Sequence, residues 1–128
     1  MVVPYGFGVG DVIAVGTIAW NVYKSCRAAP ESFSNISLEV LSLHAVLKEA
    51  EETVFKSPLP TESQERLTTV GDGCRGVLDD LQKLVDRYES LGTQSKRTWD
   101  RMKWGAQDIA EIRQRLISNT TMLTAFIR

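Results

Sequence analysis

The sequence predicts an all-α domain, an antiparallel helical bundle of four long helices plus one short helix. Three observations carry this expectation. Apolar residues recur three and four positions apart over most of the chain, the period of a helix face. No stretch alternates with period two long enough to make a sheet. The periodic segments are joined by brief linkers rich in proline or glycine, such as Ser57-Pro58-Leu59-Pro60, and short linkers favour antiparallel neighbours.

The first helix is expected from about Asp11 to Ala28, after a flexible leader over residues 1–10 in which Gly6, Gly8 and Gly10 lie close together. Gly10 is an acceptable N-cap, and Asp11 lies where the helix dipole favours an anion. Its apolar residues include Val12, Ile13, Val15, Ile18, Trp20 and Val22 and go nearly all the way round. Such a helix is either enclosed by others or meant for an apolar partner. The second helix is expected from about Glu31 to Phe55, where Phe33, Ile36, Val40, Leu43, Leu47, Ala50 and Val54 form a heptad seam. Leu38, Leu41 and Ala45 make a second strip beside that seam, and a helix with two strips usually touches more than one neighbour.

The third helix is expected from about Glu62 to Leu91, with Thr61 and Gln64 as a capping-box pair. Its stripe through Leu67, Val70, Cys74, Val77, Leu81, Leu84 and Tyr88 is interrupted by Gly71, Gly73 and Gly76. Each glycine costs about 1 kcal/mol against alanine, and two readings stand: close packing or a kink, and a functional hinge. With so short a linker, helices two and three are expected to form a hairpin. A short helix is expected from about Gln94 to Lys103 and a last long one from about Ala106 to Phe126, where Asn119 fills a slot between Leu116 and Leu123. The apolar rhythm still runs at Arg128, which suggests one domain, 1–128, cut from a longer protein.

The composition argues against several functions. The formal net charge is −1, so there is no electrostatic footprint for nucleic acid. The lone His44 cannot complete a metal site, and a Ser-His-Asp or Cys-His arrangement would rest wholly on it. No catalytic, cofactor or metal residue is assigned. The run Gly71-Asp72-Gly73-Cys74-Arg75-Gly76 matches a dinucleotide-binding fingerprint only by letter, since no strand precedes it. Glu51-Glu52 and Asp79-Asp80 are adjacent pairs that diverge by about 100° on a helix. Cys26 and Cys74 sit on apolar stripes; they read as buried free thiols in a reducing compartment, with a disulfide as the alternative. No positive charge precedes the apolar first segment, as a secretory signal requires, so a cytoplasmic location is expected.

One charge cluster stands out. Lys96, Arg97, Arg101 and Lys103 fall close together with Trp99 and Trp104 between them. Basic residues beside tryptophan suit an anionic membrane surface; the other reading is an exposed short helix whose tryptophans pack on the bundle.

Four segments together resemble the fungal HeLo-like N-terminal domains of NLR-like (STAND) receptors. They are Gly6-Phe7-Gly8-Val9-Gly10-Asp11-Val12-Ile13-Ala14; Phe33 with Glu39-Val40-Leu41-Ser42-Leu43 and Leu47; Cys74 through Leu91; and Arg101-Met102-Lys103-Trp104 followed by Ile109, Ile112-Arg113 and Leu116. Gly105 and Asn119 depart from the pattern. The resemblance implies a fold like that of the HET-S HeLo domain and of the necroptosis executioner's four-helix bundle. It implies a cell-death role in immunity or heterokaryon incompatibility, ahead of downstream receptor domains. The implied mechanism is homo-oligomerisation on activation, release of the N-terminal region and its insertion into the membrane, with anionic membrane lipids as the expected partner.

Under that resemblance the first helix, through Val12, Ile13, Val15, Ile18, Trp20 and Val22, is the membrane-active element. Lys96, Arg97, Arg101 and Lys103 are the basic membrane-contact candidates. The helix, roughly 18 residues and about 27 Å long, approaches the thickness of a bilayer's hydrocarbon core. A core role for the same helix remains the competing reading. Leu38 and Leu41 are candidates for partner binding in a second reading, a non-lytic signalling adaptor.

Overall fold

A computed structural model describes residues 7–29, 31–90 and 103–128. Among these, every regular element is helical: α1 (Val9–Ala28), a single turn α2 (Glu31–Ser34), α3 (Ser37–Thr53), a 3-10 turn (Val54–Lys56), α4 (Thr61–Ser90) and α5 (Lys103–Ile127). The short helix expected from about Gln94 falls outside the described residues, except that Lys103 opens α5.

The boundaries follow local chemistry. α1 starts two residues before the expected Asp11, with Gly8 as an extended N-cap. Asp11 is then the third helical residue, and its Oδ2 accepts the Gly8 N–H at 2.8 Å, satisfying a donor the helix itself cannot pair. The leader expected over residues 1–10 thus ends sooner. Phe7 is buried, and its N–H donates to Thr68 Oγ1 at 2.8 Å. The Thr68 hydroxyl donates in turn to the Gln64 carbonyl at 2.8 Å. At its other end α1 stops at Ala28, with Ala29 extended, as a residue before proline prefers.

The single second helix expected from Glu31 to Phe55 is divided. Ser37 Oγ donates to the Ser34 carbonyl at 2.6 Å, the kind of local side-chain bond that competes with the helical ladder. The apolar seam survives the break, because Phe33 and Ile36 remain buried and the Phe33 ring meets Tyr88 edge-on, with ring centroids 5.4 Å apart. The Thr61–Gln64 capping box does not form. Thr61 is already the first residue of α4, and the Gln64 side-chain amide donates to the Leu59 carbonyl at 3.2 Å instead.

α1 packs on α3 and α4, and α5 packs on the same two helices from the other side. α1 and α3 run antiparallel, since Gly16 faces Leu47 while Trp20 faces His44. α4 and α5 also run antiparallel, since Gly73 faces Asn119 and Asp80 pairs with Arg115. α1 and α4 point the same way: Phe7 lies on Gly71, and Phe33, just past the end of α1, lies on Tyr88.

The order around the bundle is therefore α1, α3, α5, α4, and α3 and α4 sit across the diagonal. The expected hairpin of these two helices is not what is found. Residues 54–60 form a 3-10 turn and then a stretch without regular structure holding Pro58 and Pro60. Such a link reaches close to 20 Å, more than the roughly 14 Å diagonal of a square of helices about 10 Å apart.

The glycines of α4 leave the helix unbroken, and two of them have a packing reason. A Cβ on Gly71 would lie 2.5 Å from the Phe7 ring, and a Cβ on Gly73 would lie 2.5 Å from Asn119 Oδ1. Gly76 meets nothing closer than 3.9 Å. Asn119 is buried, and its Nδ2 donates to the Arg115 carbonyl at 2.8 Å, so the polar slot in the last helix is satisfied within that helix.

Gly71→Ala tests the seat of Phe7. It gains about 1 kcal/mol of helix propensity but expels a ring whose burial contributes about 2 kcal/mol. Urea unfolding should show a net loss of about 1 kcal/mol. In a Phe7→Ala background the clash is gone, and the same substitution should stabilise.

Candidate functional site

The structure splits the six α1 candidates between two faces. Val12, Val15 and Val22 are buried, together with Gly16, Ala19 and Cys26. Ile18 is half-buried and packs on the core. Ile13 and Trp20 are 46% and 42% exposed. The helix is thus not enclosed on all sides, contrary to one branch of the expectation from its composition. Val9, 43% exposed, joins Ile13 and Trp20: steps of four and seven residues return to one side of a helix. Sequence reading passed over Val9 because it lay in the supposed leader.

This outer strip borders α3. The Trp20 ring lies 5.3 Å from Tyr23 and 5.2 Å from His44. Beyond His44, the α3 strip faces solvent. Leu38 is 67% exposed, Ala45 is exposed and Leu41 is half-buried. The outer strip of α1 and the Leu38, Leu41 and Ala45 strip of α3 therefore lie on adjoining helices.

On the other side of α3, an open groove of about 450 Å³ runs between α3 and α5, lined by Glu39, Ser42, Ile117, Thr121, Thr124 and Arg128 among others. Threonine there contributes apolar surface. The hydroxyls of Thr120 and Thr124 donate to the carbonyls of Leu116 and Thr120 at 2.7 and 2.8 Å, so their polar atoms turn back on their own helix. Glu39 Oε1 accepts from Arg113 Nε at 2.6 Å. Its Oε2 is buried with no hydrogen-bond partner. A smaller cleft of about 240 Å³ between α4 and α5 is charged, and Arg115 pairs with Asp80 at 2.7 Å beside it.

Of the basic candidates, Lys96, Arg97 and Arg101 lie outside the described residues, and Lys103 is the first residue of α5. Among the described residues, no helix is long and apolar enough to cross a membrane, and no three His, Cys, Asp or Glu residues gather as a metal would need. Cys26 and Cys74 are buried free thiols, and burial pushes both up to about 12.

What the residues define so far is a class: a helical bundle that presents apolar side chains on the outside of α1 and α3. Comparison with protein-family models, curated proteins and solved structures finds no match for this chain.

The surroundings of His44, which lies against Trp20, can be read by titration. Burial, and then the charge of Lys48, hold the His44 imidazole below its ordinary value of 6.5. The folded state thus favours the neutral ring. The stability linked to keeping this imidazole neutral is complete above the unfolded value and is lost as pH falls through the lower folded one. Following the ring by NMR, Lys48→Ala should move the midpoint upward yet leave it below 6.5, because burial is the larger cause.

Proposed function

We propose that this chain is a cell-death-inducing effector domain of the HeLo-like kind, the front part of a fungal NLR-like immune or incompatibility receptor. In this reading it rests in the cytoplasm, oligomerises when downstream receptor domains are activated, and brings α1 to anionic membrane lipids. The family assignment rests on the four sequence segments given above. The observation that best supports a membrane role is the outer strip of α1, where Val9, Ile13 and Trp20 face solvent in the folded state.

A one-sided strip suits a helix lying in the plane of the membrane interface, its apolar side in the acyl boundary. The short basic helix expected from about Gln94 to Lys103, with Lys96, Arg97, Arg101 and Lys103, belongs to the same proposal as the part that meets anionic headgroups. Val12, Val15 and Val22 would reach lipid only if α1 left the bundle, because they form its inner face.

A second reading, a non-lytic adaptor, draws on Leu38. A leucine 67% exposed beside exposed Ala45 is apolar surface without a neighbour in the described fold, the kind of feature that marks an interaction site when it extends into a patch.

Ile13 is the clean probe of the first reading, because its exposure lets Ile13→Glu fold normally. This variant should weaken binding to anionic vesicles by about tenfold and lower dye release in step, with an unchanged helical circular-dichroism spectrum. Undiminished release would refute the membrane reading. Leu38→Asp separates the two readings. Under the adaptor reading it suppresses death on expression in fungal cells while dye release, if any, stays as in the parent. Under the membrane reading it leaves both unaltered.

A further inference from the structure

We infer that Phe7 is the lock on α1: its ring, seated on Gly71, keeps the first helix in the bundle, and once it is drawn out α1 swings away from that end while α3, α4 and α5 stay packed. The inference rests on contacts within the bundle and is tested without lipid, so it holds or fails independently of the membrane reading.

Phe7 lies just before α1 and ties it to α4 in two ways. Its side chain is buried in a seat that glycine leaves open, since a Cβ on Gly71 would lie 2.5 Å from the ring. Its backbone N–H donates to Thr68 Oγ1 at 2.8 Å. That hydroxyl spends its own proton on the Gln64 carbonyl, which turns its oxygen into an acceptor for Phe7. Thr68 and Gly71 are one turn apart on α4, so the ring and the backbone of Phe7 are held on one side of one helix.

Polar ties between α1 and the rest of the bundle are otherwise lacking. Among the described residues, the side-chain hydrogen bonds of α1 stay within the helix or its cap: Thr17 to the Ile13 carbonyl, Arg27 to the Tyr23 hydroxyl, and the Gly8 N–H to Asp11. The ion pairs that fix α5, Arg113 to Glu39 and Arg115 to Asp80, bypass α1, so they survive its departure. The inner face of α1 is made of Val12, Val15, Gly16, Ala19, Val22 and Cys26. The Phe7 ring is therefore larger than any buried side chain of the helix it precedes.

The far end of α1 is the hinge. Ala29 is extended there, and beyond it Phe33 is buried and meets Tyr88 edge-on at 5.4 Å. The chain past the hinge stays on α4 when α1 leaves. Opening is thus conditional: α1 departs only after Phe7, and an agent that competes for the Phe7 ring controls the whole helix.

Native-state hydrogen exchange on the full chain, read segment by segment by mass spectrometry, tests the inference. Freed from the bundle, α1 is rich in β-branched residues and does not hold its ladder in water, so its amides report the opening. In the parent, the amides from Val12 to Cys26 should exchange together, and faster than those of α4 from Val77 to Val85. Gly71→Ala ejects the ring. It should speed exchange of α1 about thirtyfold, the worth of a buried phenylalanine, but that of α4 only about fivefold. The difference arises because α4 gains helix propensity against the unfolded chain and not against the opened state. Phe7→Ala should speed α1 as much as Gly71→Ala does, and the double variant no more than either alone. Thr68→Val removes only the acceptor and should speed α1 about fivefold, which keeps the test open should Phe7→Ala lose helical content. α1 and α4 exchanging at one level in the parent, Gly71→Ala speeding both alike, a rise confined to the first turn of α1, or a double variant faster than both singles would each overturn the inference.

Discussion

The inner face of α1 is built from small residues, and this constrains what surrounds it. Val12, Val15, Gly16, Ala19 and Val22 let the helix approach its neighbours closely, and a Cβ on Gly16 would already lie 4.0 Å from that of Leu47. A face of this kind has no room for large side chains. Ile13 and Trp20 are therefore carried on the outside, and the volume of the core is supplied from elsewhere, by Phe33, Ile36, Leu43, Leu67, Leu78 and Leu81. The apolar exterior of α1 is a consequence of how tightly its interior packs, in keeping with the density of protein cores.

The same economy governs α4. Gly71 and Gly73 remove side chains where Phe7 and Asn119 come in, and the helix keeps its ladder across both. α5 is then held by an ion pair on each flank, Arg113 to Glu39 on α3 and Arg115 to Asp80 on α4. Both pairs are partly exposed and of modest strength. Their role is orientation: the two arginines are on opposite flanks of α5 and set its rotation between two helices that do not pack side by side.

The heptad seams made most of the fold legible. Val40, Leu43, Leu47 and Ala50, and equally Leu67, Cys74, Val77 and Leu81, are core in the structure as their spacing implies. Neighbour order was not legible, because periodicity says which side of a helix is apolar but not which helix covers it. Nor could the pattern of α1 alone separate Val12 from Ile13, since both are aliphatic; that division depends on where α3 and α4 approach. Phe7 was hidden among glycines that read as a leader, and its only signal was a lone aromatic near a chain end. The groove carrying Glu39 and Ile117 has no sequence signature, because it arises from the rotation of α5 against α3. The strip through Leu38 was legible as apolar residues outside the seam, but its exposure was not, because a second strip equally suits a helix with two neighbours.

Cys26 on α1 and Cys74 on α4 lie in the core with their thiols held protonated far above neutral pH. Thiol reagents attack the thiolate, so neither sulfur reacts while the helices stay together. The pair thus forms an internal clock of bundle opening: an alkylating agent marks Cys26 only when α1 parts from its neighbours. Once marked, the sulfur carries an adduct that the sealed interior cannot take back, and each excursion of the helix is recorded as a permanent mass tag.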